Sequence, residues 1–368
     1  MVQICFDWVI TFLLTKSVMT KRQSNFLASY GICTVLSLCS HISPAAVYEL
    51  KGSDSVVGHL NTTRAEFNQT LLDIGRSNGF GYQDLKLLNP DIDTWLPGEG
   101  REILLPGQFI IPNVPREGIV LNIPEMRLYY FPEAKAGEPR QVITYPLGVG
   151  REGWATPYMK TRIIQKKEHP SWTPPESIRQ EHEEKGDPLP EVVKPGPDNP
   201  LGDYALKLGG GDYLIHGTNR PFGVGMRVSH GCIRLYPEDI DDLFHRVKVG
   251  TPVNIINQPY KIGELDGVIY LEVHPHLDED NEHFSHNSLT EVVKYIINST
   301  EENHYKIDWN LIKKIVAEEK GIPVAIGVKT PDLQAVVKED TTATNLTKEY
   351  KNDNDQDDPA IHKRERQN

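Results

Sequence analysis

Cysteine is scarce in this chain: there are four, and beyond residue 39 only Cys232 remains. Cys5, Cys33 and Cys39 all lie in the N-terminal leader, so a processed protein holds one thiol and forms no internal disulfide. A lone thiol in an oxidising compartment is a liability unless it does chemistry. The plain alternative is a buried, inert cysteine. An excess of positive charge is also missing. Lys and Arg number 39 against 51 Asp and Glu, a net charge of −12, which excludes a nucleic-acid binder relying on clustered basic side chains. No internal repeat is visible. What is present suits a folded protein: 38% hydrophobic and 24% charged residues allow a packed core and exclude wholesale disorder.

The leader, residues 1–46, reads as a targeting segment. Lys21 and Arg22 form a basic start, residues 26–40 are mostly apolar and uncharged, and Ser43-Pro44-Ala45-Ala46 offers small residues for cleavage. The apolar run has the length of a signal-peptide core and is short for a membrane span. Met19, just before the basic pair, is the expected start of translation. A two-part membrane anchor, using the upstream apolar patch at residues 4–14, is the rival reading.

The 27 prolines and 29 glycines predict short strands and many turns, a mostly β fold. Residues 56–112 read as a small α+β module, with helices at 67–77 and 82–89 and strands at 102–105 and 109–112. Residues 117–257 read as a β-domain, a largely antiparallel sandwich or barrel. Its strands are expected at 119–123, 126–131, 142–150, 213–215 and 253–256, with a helix at 239–247 and a further strand at 272–275 closing the sheet. Inside it lies a Pro-rich, charged excursion, 168–200, a candidate lid or wall in which Trp172 either covers a groove or anchors the loop. Residues 258–337 form an extension with amphipathic helices at 288–298 and 309–320, and 338–368 are a polar tail expected to be disordered. Asn-x-Ser/Thr triplets at Asn61, Asn68, Asn298 and Asn345 arise readily by chance.

The chemistry concentrates between Tyr213 and Ile240. A strand delivers His216 to a loop, and Ser229-His230-Gly231-Cys232-Ile233-Arg234 follows. A free thiol, pKa about 8.5, is mostly protonated at neutral pH, and an imidazole within hydrogen-bond reach takes its proton. That imidazole needs a partner to hold its ring. The Gly217 carbonyl, next to His216 in the chain, is the candidate. Gly231 permits a sharp turn, and amides around Gly231 and Cys232 are candidate oxyanion donors. Arg234 lies on the same side of an extended segment as Cys232 and suits a substrate carboxylate.

His216 followed by Ser229-His230-Gly231-Cys232 and Arg234 resembles the active-site signature of the L,D-transpeptidase (YkuD-type) catalytic domain. "EGIVLNIPEMRLYYFP" and "IHGTNRPFGVGMRVSHGCIRL" are similar to periplasmic Gram-negative members, and "LLNPDIDTWLPGEGREILLP" resembles a LysM module, which binds peptidoglycan glycan. The resemblance implies that Cys232 attacks the diaminopimelate carbonyl of a tetrapeptide stem and expels D-Ala. It implies His216 as base and then acid, with Ser229, His230 and Gly231 shaping the pocket. The thioester would pass to a second stem or to the C-terminal Lys of an outer-membrane lipoprotein. No cofactor is implied, and carbapenems would acylate the same Cys.

Three other readings are open on sequence alone. His216, His230 and Cys232 could be zinc ligands, with His169 or His245 as a fourth; His245, His274 and His276 otherwise suit surface or structural roles. Water could replace the amine, giving a carboxypeptidase or endopeptidase. The chain could also be a wall-binding protein with an idle Cys.

Overall fold

The computed structural model describes residues 46–52, 54–135, 137–277, 288–300 and 305–330. Apart from Ala46, the expected targeting segment lies outside the described residues, as does the expected tail. Among the described residues no helix is long and apolar enough to cross a membrane.

The first elements are strands β1 (Ala46–Leu50), β2 (Val56–Gly58) and β3 (Asn61–Arg64), helices α1 (Leu71–Ser77) and α2 (Tyr82–Leu88), and strands β4 (Glu102–Leu105) and β5 (Gln108–Ile110). β3 pairs with β4 and β2 with β5, both antiparallel. α1 starts later than the apolar spacing suggests. Thr70 caps it, accepting from the Asp73 amide while the Asp73 carboxylate accepts from the Thr70 amide at 2.9 Å. Phe67, expected inside this helix, lies before the cap and is 73% exposed.

A large curled sheet follows: β6 (Gly118–Asn122), β7 (Arg127–Phe131), β8 (Arg140–Pro146), β9 (Val149–Gly150) and β10 (Met159–Glu168), then helix α3 (Glu176–Glu184) in the excursion. After it come β11 (Tyr204–Leu208), β12 (Leu214–His216), β13 (Arg227–Ser229), β14 (Ile233–Arg234), α4 (Pro237–Arg246) and β15 (Pro252–Ile256). Nine strands run in the order β1-β8-β7-β6-β15-β10-β11-β12-β14, and β9 and β13 pair with each other outside this sheet. Most neighbours are antiparallel, as expected, but β15 with β6 and β12 with β14 are parallel. β6 and β7 are buried along nearly their whole length because both faces are covered. Ile119, Leu121 and Leu128 pack toward Ile240, Leu243 and Phe244 of α4, while Val120, Tyr129 and Phe131 pack against Leu71, Ile74 and Phe109 of the N-terminal module. Two-sided burial is why these segments read as unbroken apolar runs rather than alternating ones.

The last elements are β16 (Tyr260–Leu265), β17 (Val268–Val273), α5 (Ser288–Thr300), β18 (Tyr305–Ile307), α6 (Trp309–Glu318) and β19 (Val324–Lys329). They form a separate four-stranded sheet, β16-β17-β19-β18, covered by the two helices through Val292, Ile296, Ile312 and Ile315. This corrects the expectation that residues 272–275 close the large sheet. Glu272 and Val273 end β17, whose partners are β16 and β19.

Candidate active site

The Cys-bearing segment lies beside the His-bearing strand. β12 and β14 are parallel neighbours, with Ile215 opposite Ile233 and His216 opposite Arg234. The chain crosses from one to the other through a short 3₁₀ turn (Pro221–Gly223) and β13. Ile215 and Ile233 are fully buried in the core, so the alternation of strand side chains turns His216, Cys232 and Arg234 to the opposite face. Cys232 is one diagonal step from His216 in this register.

His216 is 2% exposed, and its Nδ1 donates to the Gly217 carbonyl at 2.6 Å. Burial and the nearby Arg234 charge lower its pKa to about 3, against the opposing pull of the Gly217 and Leu201 carbonyls. Cys232 is half-buried. Burial pushes its thiol up from the usual range, outweighing the Leu214 backbone and Arg234, which favour the thiolate. Both partners therefore rest neutral.

The rest of the motif is braced by backbone. Ser229 is buried, and its Oγ donates to the Cys232 carbonyl at 2.5 Å. Gly231 has φ +96°, in the left-handed region, and its carbonyl accepts from Thr156 Oγ1 at 3.1 Å. Thr156 Oγ1 in turn accepts from the Gly150 amide. Arg234 is clamped to Gly148 by reciprocal backbone bonds of 2.8 and 2.9 Å. Burial and the charge of Arg220 lower the pKa of its guanidinium. Its Nε and that of Arg151 are buried without a hydrogen-bond partner among the described residues.

His230 points elsewhere. Its Nε2 lies 2.9 Å from Glu181 Oε2 in the excursion, and its ring meets Trp154 edge-on at 4.9 Å. His216, His230 and Cys232 do not converge as metal ligands. Among the described residues the His, Cys, Asp and Glu groups that do converge are Glu125, Glu272 and His274, and Lys261 Nζ sits 2.8 and 2.7 Å from the two carboxylates. His169 and His245 are exposed and pair with Asp203 and Asp241. Arg151, Trp154, Thr156 and Glu181 were not legible as site residues, because only tertiary pairing brings them to the motif. Trp172 and Val193 exchange backbone hydrogen bonds of 2.9 and 2.8 Å and close the base of the excursion.

Comparison with known proteins fits this geometry. The L,D-transpeptidase catalytic domain (YkuD) matches residues 116–255. The probable L,D-transpeptidase YbiS of Escherichia coli K12 is 37% identical over 313 residues, covering 83% of this chain and 99% of that protein. The chain belongs to the L,D-transpeptidase family. Within that family it is of the Gram-negative type. The probable L,D-transpeptidase ErfK/SrfK of E. coli K12 is 38% identical over 83% of this chain and 97% of its own. YcfS of the same strain is 46% identical over 56% of this chain and 65% of its own. Among solved structures, the catalytic domain of an Enterococcus faecium L,D-transpeptidase aligns at 21% identity and TM-score 0.28, over 39% of this chain and all of that one.

Proposed function

We propose that this L,D-transpeptidase works through a thioester on Cys232, with His216 as general base and then general acid. The observation that carries the reading is the parallel register of β12 and β14, which sets His216, Cys232 and Arg234 on one face. Binding a peptide beside Cys232 brings the neutral thiol against a carbonyl. His216, whose Nδ1 is committed to Gly217, offers Nε2 to the thiol proton. The thiolate attacks, and the oxyanion is met by amides of the Gly231–Cys232 turn. The imidazolium returns its proton to the departing D-Ala amine. An acceptor amine then attacks the thioester, and His216 repeats the cycle.

The substrate class is the tetrapeptide stem of peptidoglycan, rich in carboxylates. Arg234, opposite His216 in the strand register and close to Cys232, suits those groups. The acceptor is a second stem's diaminopimelate or the C-terminal Lys of an outer-membrane lipoprotein, and the place of action is the periplasm. The β3-α1-α2-β4 module, with antiparallel β3 and β4, has the element order of a LysM module, and its exposed Phe67, Trp95 and Leu96 suit glycan.

The test is muropeptide analysis of cells carrying Cys232→Ala, together with intact mass of the purified enzyme after a carbapenem. Loss of lipoprotein-linked or diaminopimelate–diaminopimelate species and of the adduct is expected. Unchanged cross-links, or an adduct on the variant, sink the nucleophile assignment.

A further inference from the structure

The excursion between β10 and β11 is Pro-rich and largely exposed, yet α3 is fixed at two points. Ile178 is buried, and Glu181, on the same face one turn later, reaches the catalytic motif. The base is closed by the Trp172–Val193 pairing and by Asn199 Nδ2, which donates to the Pro170 carbonyl at 2.8 Å.

The receiving side follows from the strand register. β9 and β13 are parallel, with Gly150 opposite Ser229, so the next residues of each, Arg151 and His230, emerge side by side. The Arg151 amide donates to the Ser229 carbonyl at 2.9 Å. Arg151 Nη2 and His230 Nε2 lie 3.0 Å apart, and both reach Glu181 Oε2. A guanidinium nitrogen only donates, so the carboxylate oxygen is the shared acceptor, and His230 carries its proton on Nε2. The other carboxylate oxygen takes Lys185. Hydrogen bonds from Lys185 and His230 lower the Glu181 carboxyl to about 2, so the acceptor keeps its charge at any working pH. One side chain from outside the large sheet thereby ties α3, the Arg151–Trp154 turn and the residue two before Cys232.

We propose that Glu181 is a positioning residue for the transfer reaction: it seats α3 against Arg151 and His230, making the excursion a fixed wall for the donor peptide beside the Cys232 turn. The proposal rests on Cys232 being the nucleophile toward a peptide donor. Glu181 touches no reacting atom. It acts through His230, which precedes the Gly231–Cys232 turn, and through Arg151, whose amide is bonded to the Ser229 carbonyl.

The experiment uses the full chain and compares wild type with Glu181→Ala and Glu181→Asp. It measures kcat and KM with a tetrapeptide donor and a soluble amine, alkylation of Cys232 by iodoacetamide, and amide exchange across α3. For Glu181→Ala, KM should rise by about tenfold to a hundredfold, the range set by losing a charge-assisted hydrogen bond. kcat should fall much less, alkylation should stay within about twofold, and exchange in α3 should speed up. Glu181→Asp, which keeps the charge, should recover most of the KM. An unchanged KM with Glu181→Ala overturns the proposal. So does a parallel fall of kcat and alkylation, which would mean general damage to the fold. If the wild type itself fails to turn over the peptide, the functional reading has failed separately. Exchange in α3, unchanged or faster in Glu181→Ala without substrate, then decides the clamp alone.

Discussion

Burial acts on Cys232 and His216 in opposite senses, raising the thiol and lowering the imidazole to about 3. An imidazolium–thiolate pair in the free enzyme needs the reverse order. Alkylation of the free enzyme by iodoacetamide should therefore rise with pH through and beyond the ordinary thiol range of about 8.5, without a plateau from acid to neutral pH. His216 stays unprotonated above about pH 3, so peptide transfer should keep its base as pH falls from 7 to 5. His216→Ala should lower kcat by ~10²–10⁴-fold and leave the pH dependence of alkylation unaltered. A flat alkylation rate across neutral pH, abolished by that substitution, would mean the pair is ionised at rest. At this scale much was legible. His216, Ser229, Gly231, Cys232 and Arg234 are contiguous or close in sequence, and Gly217 is the residue after His216. Glu181 was not, because nothing local marks one glutamate among the charges of residues 168–200.

Among elements, the contact that joins the N-terminal module to the loop before Ser229 is backbone on backbone. Tyr82 and Gln83, at the start of α2, donate to the Val224 and Gly225 carbonyls at 3.3 and 3.2 Å. Gly225, φ +78°, allows this, since a Cβ there would lie 2.2 Å from the Tyr82 nitrogen. Arg76 with Glu238, and Tyr236 with the Phe80 carbonyl, flank the joint. Gly225→Ala should thus cost about 1–3 kcal/mol, seen as a lowered thermal midpoint. Because it parts the module from the loop between His216 and Ser229, it should depress cross-linking of intact sacculi more than transfer to a soluble amine. Equal loss on both substrates would argue that the module plays no part in presenting the wall. The double-faced strands β6 and β7 were legible from their unbroken apolar runs. β18 and the pairing partners of β17 were not. Three-residue strands and a sheet assembled from β16, β17 and β19 leave no period long enough to read.

Over the whole molecule, one buried cation joins the three regions. Lys261 Nζ, from β16, lies 2.8 Å from Glu125 beside β7 and 2.7 Å from Glu272 on β17. It donates to the Ile110 carbonyl of the N-terminal module at 2.7 Å and to Tyr129 Oη at 3.1 Å. His274 Nε2 is 2.6 Å from Glu272, and Arg127 links Glu125 to Asp84 of α2. Burial pushes the Glu125 carboxyl up, but Lys261, His274 and Arg127 pull harder and leave it below its ordinary value. The Glu125 carboxylate is therefore ionised and depends on the cations. Lys261→Met keeps the volume and strips the charge, leaving two acids facing each other in a dry interior. Removing one partner of a buried pair costs about 3–5 kcal/mol. Urea unfolding should show a loss of that size, and Lys261→Met combined with Glu125→Gln should recover part of it, because the added substitution removes an orphaned charge. Were the single variant as stable as wild type, the network would not be what holds the three regions together, and their packing would rest on the apolar contacts alone.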